Sequence, residues 1–153
     1  GVIEFKSNRF SVVDYGAITT NAGTPFERRL ELIYDDLNLL MGKFHPEAMS
    51  IEKLFYNTNA KTVIDVAQAR GVTVLAAKKN NIPIFEYTPL QVKQSVVGYG
   101  RAEKKQVQEM TRIILKLAKI PKPDDTADAL AMAICHAHAS GSLMGKLNSM
   151  GIR

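Results

Sequence analysis

Apolar residues change their spacing several times along the 153-residue chain, and each change marks an element. Two short runs, residues 1–6 and 10–19, flank a polar turn at Lys6–Arg9. FSVVDYGAIT is rich in Val, Ile, Phe and Tyr and reads as a strand, while Ser7-Asn8 supply turn chemistry. From Phe26 the period lengthens. Phe26, Leu30, Ile33, Leu37, Leu40, Met41 and Phe44 form the stripe of an amphipathic helix. Thr24 is expected to cap it, with Pro25 at the first helical position and Glu27 completing a capping box. His45-Pro46 ends it. This helix carries no visible chemistry.

Beyond it, EAMSIE (residues 47–52) reads as a short buried strand ending in an acid, Glu52, and KLFYNTN as a polar loop. A helical stretch follows from about Ala60 to Lys79, with Gly71 inside it, and IPIFEYT (82–88) is another short strand. Pro89 to Val97 reads as a brief helix and Gly98-Tyr99-Gly100 as a loop. Ala102 to Lys119 is amphipathic, with Val107, Met110, Ile114 and Leu117 on one side, and Pro121 and Pro123 break it. An Ala-rich helix is expected over Asp124 to Ser140, then a Gly/Ser/Met-containing tail. Strands first, then strands alternating with helices, predict one α/β domain with a mixed sheet over 1–140 and a tail over 141–153.

Composition narrows the function classes. A hydrophobic content of 46% excludes a disordered chain. A single cysteine, Cys135, excludes an internal disulfide framework and fits a reducing, cytoplasmic compartment. No apolar run approaches the roughly 20 residues of a membrane span, and GVIEFKSNRF lacks the apolar core of a signal peptide. No membrane partner is expected. The net charge of +5 is concentrated: residues 88–120 hold seven basic residues (Lys93, Arg101, Lys104, Lys105, Arg112, Lys116, Lys119) and two acids (Glu103, Glu109). The remainder is net neutral. One basic segment points to a polyanionic partner.

Three carboxylates carry the candidate chemistry. Glu52 stands at the carboxyl end of a strand, a common place for α/β active-site residues. Asp125 and Asp128, at i and i+3 in the first turn of the last helix, share a face. Acids are also favoured there as caps, so capping and metal ligation both remain open for the pair. Together, a strand-end acid and a helix-start acid pair suit a Mg²⁺ phosphodiesterase, because hard cations take oxygen ligands. Two ions roughly 4 Å apart need several converging carboxylates. His136 and His138 lie on different sides of the helix, and His136 is about 16 Å along the axis from Asp125. They are expected to pack or hydrogen-bond. Cys135 reads as a core residue, and no Walker-type phosphate loop is present.

IEKLFYNTNAKT, QARGV, FEYTPLQVKQSVVGYGRAEKKQVQEM and DDTADALAMAICHAH, in that order, resemble the bacterial RuvC family of Holliday-junction resolvases from about Gly1 to His138. The resemblance implies a ribonuclease-H-like fold, a mixed sheet flanked by helices, and a homodimer that nicks four-way DNA junctions symmetrically. It implies two Mg²⁺ per active site, with Mn²⁺ as an alternative, and a branch-migration helicase complex as partner. Glu52, Asp125 and Asp128 match the family's metal-binding acids, with Asp124 an extra neighbour. Lys93 and Lys104 match lysines at the edge of the active site. Phe55 matches an aromatic placed against junction bases, and Arg101 and Lys105 join Lys93 and Lys104 as DNA-binding residues. Lys61 to Lys79 resembles the family's dimer-pairing helix.

One departure stands out. The family's opening I-D-P-G, whose Asp is a fourth ligand on a central strand, does not occur in these residues. The resemblance therefore implies a nuclease whose first, central strand is missing and whose cleavage is impaired. Two rivals are a DNA-junction-binding module without nuclease activity, and another ribonuclease-H-like nuclease acting on RNA.

Overall fold

The chain is seen in a computed structural model that describes residues 1–53 and 60–149, with the backbone alone at 60–62 and 142–149. In chain order the elements are β1 (Val2–Lys6), β2 (Arg9–Asp14), α1 (Phe26–Phe44), β3 (Met49–Glu52), α2 (Ala60–Lys79), β4 (Ile84–Tyr87), α3 (Pro89–Val97), α4 (Lys104–Ile114) and α5 (Asp124–Ser149). None of the described helices is long and apolar enough to cross a membrane.

β1 and β2 form an antiparallel hairpin with Lys6 opposite Arg9 and Phe5 opposite Phe10. Ser7 (φ 51°) and Asn8 (φ 60°) are both left-handed, the backbone that a two-residue loop needs to match the twist of its strands. The strand expected over 10–19 stops at Asp14, where β1 runs out of partners at Val2. β3 and β4 make a second two-stranded sheet, and no described strand bonds to both pairs. The expected mixed sheet is thus represented, among the described residues, by two separate pairs.

The chain divides into two compact units. The first comprises residues 1–17, 50–52 and 86–153. Its core surrounds α5, whose Leu130 and Ile134 are wholly buried beside Val92, Val96, Val107 and Leu115. Ile3, Phe10 and Val12 of the hairpin pack against the same cluster. This explains why the body of α5 is apolar all round. The second unit, residues 18–49 and 53–85, pairs α1 with α2. Ala76 and Ala77 are fully buried there with Met41 and Ile82, so small side chains let the two helices approach closely. Asn80 Nδ2 donates to Asn38 Oδ1 at 2.7 Å across that packing.

Three helix ends depart from expectation. Thr24 does not cap α1: its N–H donates to Asn21 O at 3.0 Å in a preceding turn, and Pro25 becomes the N-cap without a side-chain hydrogen bond. α4 ends at Ile114 rather than near Lys119, because Lys116 turns left-handed (φ 54°) and Arg112 Nη1 donates to Leu117 O at 3.0 Å. α5 continues through Gly141 to Ser149, so most of the expected tail is helical. A single interior glycine, costing about 1 kcal/mol, does not stop a helix of this length.

Candidate active site

All the acids singled out in the sequence fall in the first unit. Glu52 closes β3 with its side chain exposed. Asp124 and Asp125 open α5, and Asp128 stands one turn on. Lys93 lies half-buried on α3 and Arg101 exposed in the loop after it, while Lys104 and Lys105 are the first two residues of α4. Phe55 lies outside the described residues.

The structure brings Lys104 to the start of α5. Its Nζ stands 3.0 Å from Asp128 Oδ2 and 3.9 Å from Asp124 Oδ2. The hydrogen bond and charge of Asp128, with smaller help from Asp124 and Asp125, raise the pKa of Lys104 above its ordinary value. Lys122 Nζ holds the other oxygen of Asp124 at 2.5 Å. That contact, more than any other, keeps the Asp124 carboxyl below the usual carboxylate range. Gln108, one turn beyond Lys104 on α4, also supports the Asp124 charge. Its buried Nε2 finds no hydrogen-bond partner of standard geometry among the described residues. The acid cluster is therefore a set of carboxylates at a helix start, compensated by lysines from α4 and from the preceding loop.

The donors in this cluster are carboxylate oxygens, the chemistry a hard divalent cation prefers. Yet no group of three or more His, Cys, Asp or Glu converges on one point among the described residues. Asp128 is instead satisfied by an ammonium. The described acids, by themselves, do not form a closed metal cage.

The histidines hold structure. Tyr87 Oη and His136 Nδ1 are 2.8 Å apart, and Ser95 Oγ and His138 Nδ1 are 3.0 Å apart. His138 also meets the Phe10 ring edge-on at 5.3 Å. Cys135 is buried at 4% exposure, and burial pushes its thiol pKa up, which suits a core residue. Sequence reasoning set Asp124 aside as a neighbour. Its i,i+4 spacing to Asp128 was the signal that both could face one cation on a packed helix.

The family model described as crossover junction endodeoxyribonuclease RuvC matches residues 1–136. A crossover junction endodeoxyribonuclease RuvC of Ruminiclostridium cellulolyticum is 60% identical over 95% of this chain and 89% of its own length. The protein of that name from Clostridioides difficile is 54% identical over 99% and 89%. Among solved structures, T. thermophilus RuvC in complex with Holliday junction substrate superposes with a TM-score of 0.85. It is 30% identical, over 90% of this chain and 84% of that one. On the family match over residues 1–136 and on relatives of this identity and coverage, the chain belongs to the RuvC family of crossover junction endodeoxyribonucleases.

Proposed function

We propose that the chain is a structure-selective endonuclease that resolves four-way DNA junctions by paired symmetric nicks in recombination and repair. The observation that carries this reading is its likeness, over nearly the whole chain, to a RuvC solved with Holliday junction substrate. The reading assigns the nuclease to residues 1–140 and the junction contacts to Lys93, Arg101, Lys104, Lys105 and Phe55. Glu52, Asp125 and Asp128 are the acids that would hold two Mg²⁺, with Mn²⁺ as a substitute. Bound there, the ions supply Lewis acidity at the scissile phosphate. The chain's own residues bind and orient. Lys93 and Lys104 hold the phosphodiester and offset charge as it builds on the phosphate. A water oxygen bonds to phosphorus as the bond to the 3′ oxygen breaks, and the water's protons end on solvent and the 3′ oxygen, leaving a 5′ phosphate and a 3′ hydroxyl. A cytoplasmic homodimer suits the two-fold symmetry of a junction, and a branch-migration helicase is the expected partner.

The described acids form no three-ligand cage. A junction-binding module without cleavage is therefore the second reading. The test incubates a synthetic four-way junction with Mg²⁺ and either the 153-residue chain or a version carrying an I-D-P-G strand ahead of Gly1. Junction binding is expected from both, and paired symmetric nicks from the version that carries the strand. Asp128→Asn in the nicking version should abolish cleavage and leave binding intact. Binding by both forms with no nicking would establish the binding module. Faster cleavage of an RNA hybrid than of junctions would overturn both readings.

A further inference from the structure

The loop between α3 and α4 holds an aromatic side chain out to solvent. Tyr99 is 47% exposed, yet neither its backbone nor its hydroxyl is loose. On one side, Gly98 closes α3 in the left-handed region (φ 95°), its N–H donating to Gln94 O at 3.0 Å. On the other, Gly100 is seated against Leu90, where a Cβ would stand only 2.8 Å from Leu90 Cδ1. The left-handed backbone at Gly98 favours glycine there, and Gly100 lies close against the Leu90 side chain, which together define the turn that presents Tyr99.

The ring is fixed as well. Tyr99 Oη donates to Gln106 Oε1 at 3.0 Å, and the same oxygen accepts the Glu103 N–H at 2.8 Å. Gln106 belongs to the capping box of α4. Tyr99 is thereby tied to the turn that carries Lys104 and Lys105, and Lys104 in turn reaches Asp128 at 3.0 Å. A ring anchored by its polar end and left open on its carbon surface has already met much of the ordering cost of binding. Three cationic residues, Arg101, Lys104 and Lys105, follow within six positions. An aromatic face amid positive charge is the combination that tracks unpaired nucleic acid, bases on the ring and phosphates on the cations.

We propose that Tyr99 is a DNA-contact residue whose ring stacks on an unpaired base at the junction, with Gln106 as its positioning residue. The inference rests on the junction-binding reading above and names a contact within it. The chain contains no tryptophan, so Tyr99→Trp installs a single indole reporter at this position. Its emission is expected to fall when a four-way junction is added, and to stay constant with dextran sulfate, a polyanion that has charge but no bases. Tyr99→Ala, its fold checked by circular dichroism, should weaken junction binding about 5- to 100-fold in a fluorescence anisotropy titration. Tyr99→Phe, which loses the bond to Gln106 Oε1 but leaves the α4 capping box in place, should weaken junction binding by a smaller factor than Tyr99→Ala, an effect that loss of a helix cap cannot explain. Affinity unchanged in Tyr99→Phe would remove Gln106 from the positioning role. Unchanged indole emission on junction binding, or unchanged affinity of Tyr99→Ala, overturns this proposal alone. Absence of junction binding by the unmodified chain overturns the functional reading and this proposal with it.

Discussion

Lys104 shows how much a single side chain settles in this site. Its ammonium lies between two carboxylates one helical turn apart, so the start of α5, with three carboxylates against two lysines, is a largely compensated cluster rather than a bare concentration of negative charge. Lys122 does the same for the outer oxygen of Asp124. These contacts are exposed, and their worth lies in orientation more than in stability. His136 is the contrasting case, a titratable group withdrawn from water. Burial lowers its pKa below the ordinary 6.5, and burial raises that of its partner Tyr87 above 10.0. The unfolded chain accepts a proton on this histidine near pH 6.5, whereas the folded chain accepts it only at lower pH. Protons therefore favour unfolding below about pH 6.5, and stability falls until the folded pKa is passed. The urea midpoint is expected to drop between pH 7.5 and pH 5.5. The drop should be smaller in His136→Gln, which can still hydrogen-bond Tyr87 but does not titrate. An equal drop in both proteins would remove His136 from this role.

At the scale of elements, α3 depends on a reciprocal cap. Thr88 Oγ1 accepts the Gln91 N–H at 3.1 Å, and Gln91 Oε1 accepts the Thr88 N–H at 2.8 Å. Thr88→Ala should cost about 1 kcal/mol, read as a lower midpoint in chemical denaturation with an unchanged m-value. A change in m-value would instead indicate altered cooperativity. α3 and α2 were legible in the sequence to the residue, because Pro89 and Gly98 punctuate one and the flanking polar segments bound the other. The true caps of α1 and the end of α4 were not. Asn21 draws Thr24 into an earlier turn, and a side chain from within α4, Arg112, stabilises the chain reversal that ends it. Neither competition is visible in a periodicity. The site was legible in the same uneven way. Glu52, Asp125 and Asp128 stand out because they sit at element ends, where backbone geometry alone marks a position. The pairing of Asp124 with Lys104 requires knowing which turn of α4 meets α5, and that is a product of packing around Leu130 and Ile134.

For the whole molecule, the decisive quantity is how much of the net +5 is available to a polyanion. All of it lies between residues 88 and 120, but the structure divides that segment into engaged and available cations. Arg112 is committed: its Nη2 and Nε bond Glu109 at 2.6 and 3.0 Å, and its Nη1 bonds the Leu117 carbonyl. Lys104 is shared with Asp128. No described carboxylate pairs with Lys93, Arg101, Lys105, Lys116 or Lys119, so these five are open to phosphate, and the proposed function assigns the first three to it. Each phosphate neutralised releases condensed counterions, and the slope of log K against log salt steepens by about 0.9 per contact. Arg101→Ala with Lys105→Ala should therefore flatten the slope for junction binding by nearly two and weaken binding to every DNA sequence alike. Arg112→Ala should leave the slope unchanged while lowering the denaturation midpoint, because it removes a fold contact and no phosphate contact. Equal slopes for the wild type and the double variant would place the phosphate path elsewhere on the molecule, whatever the composition of this segment.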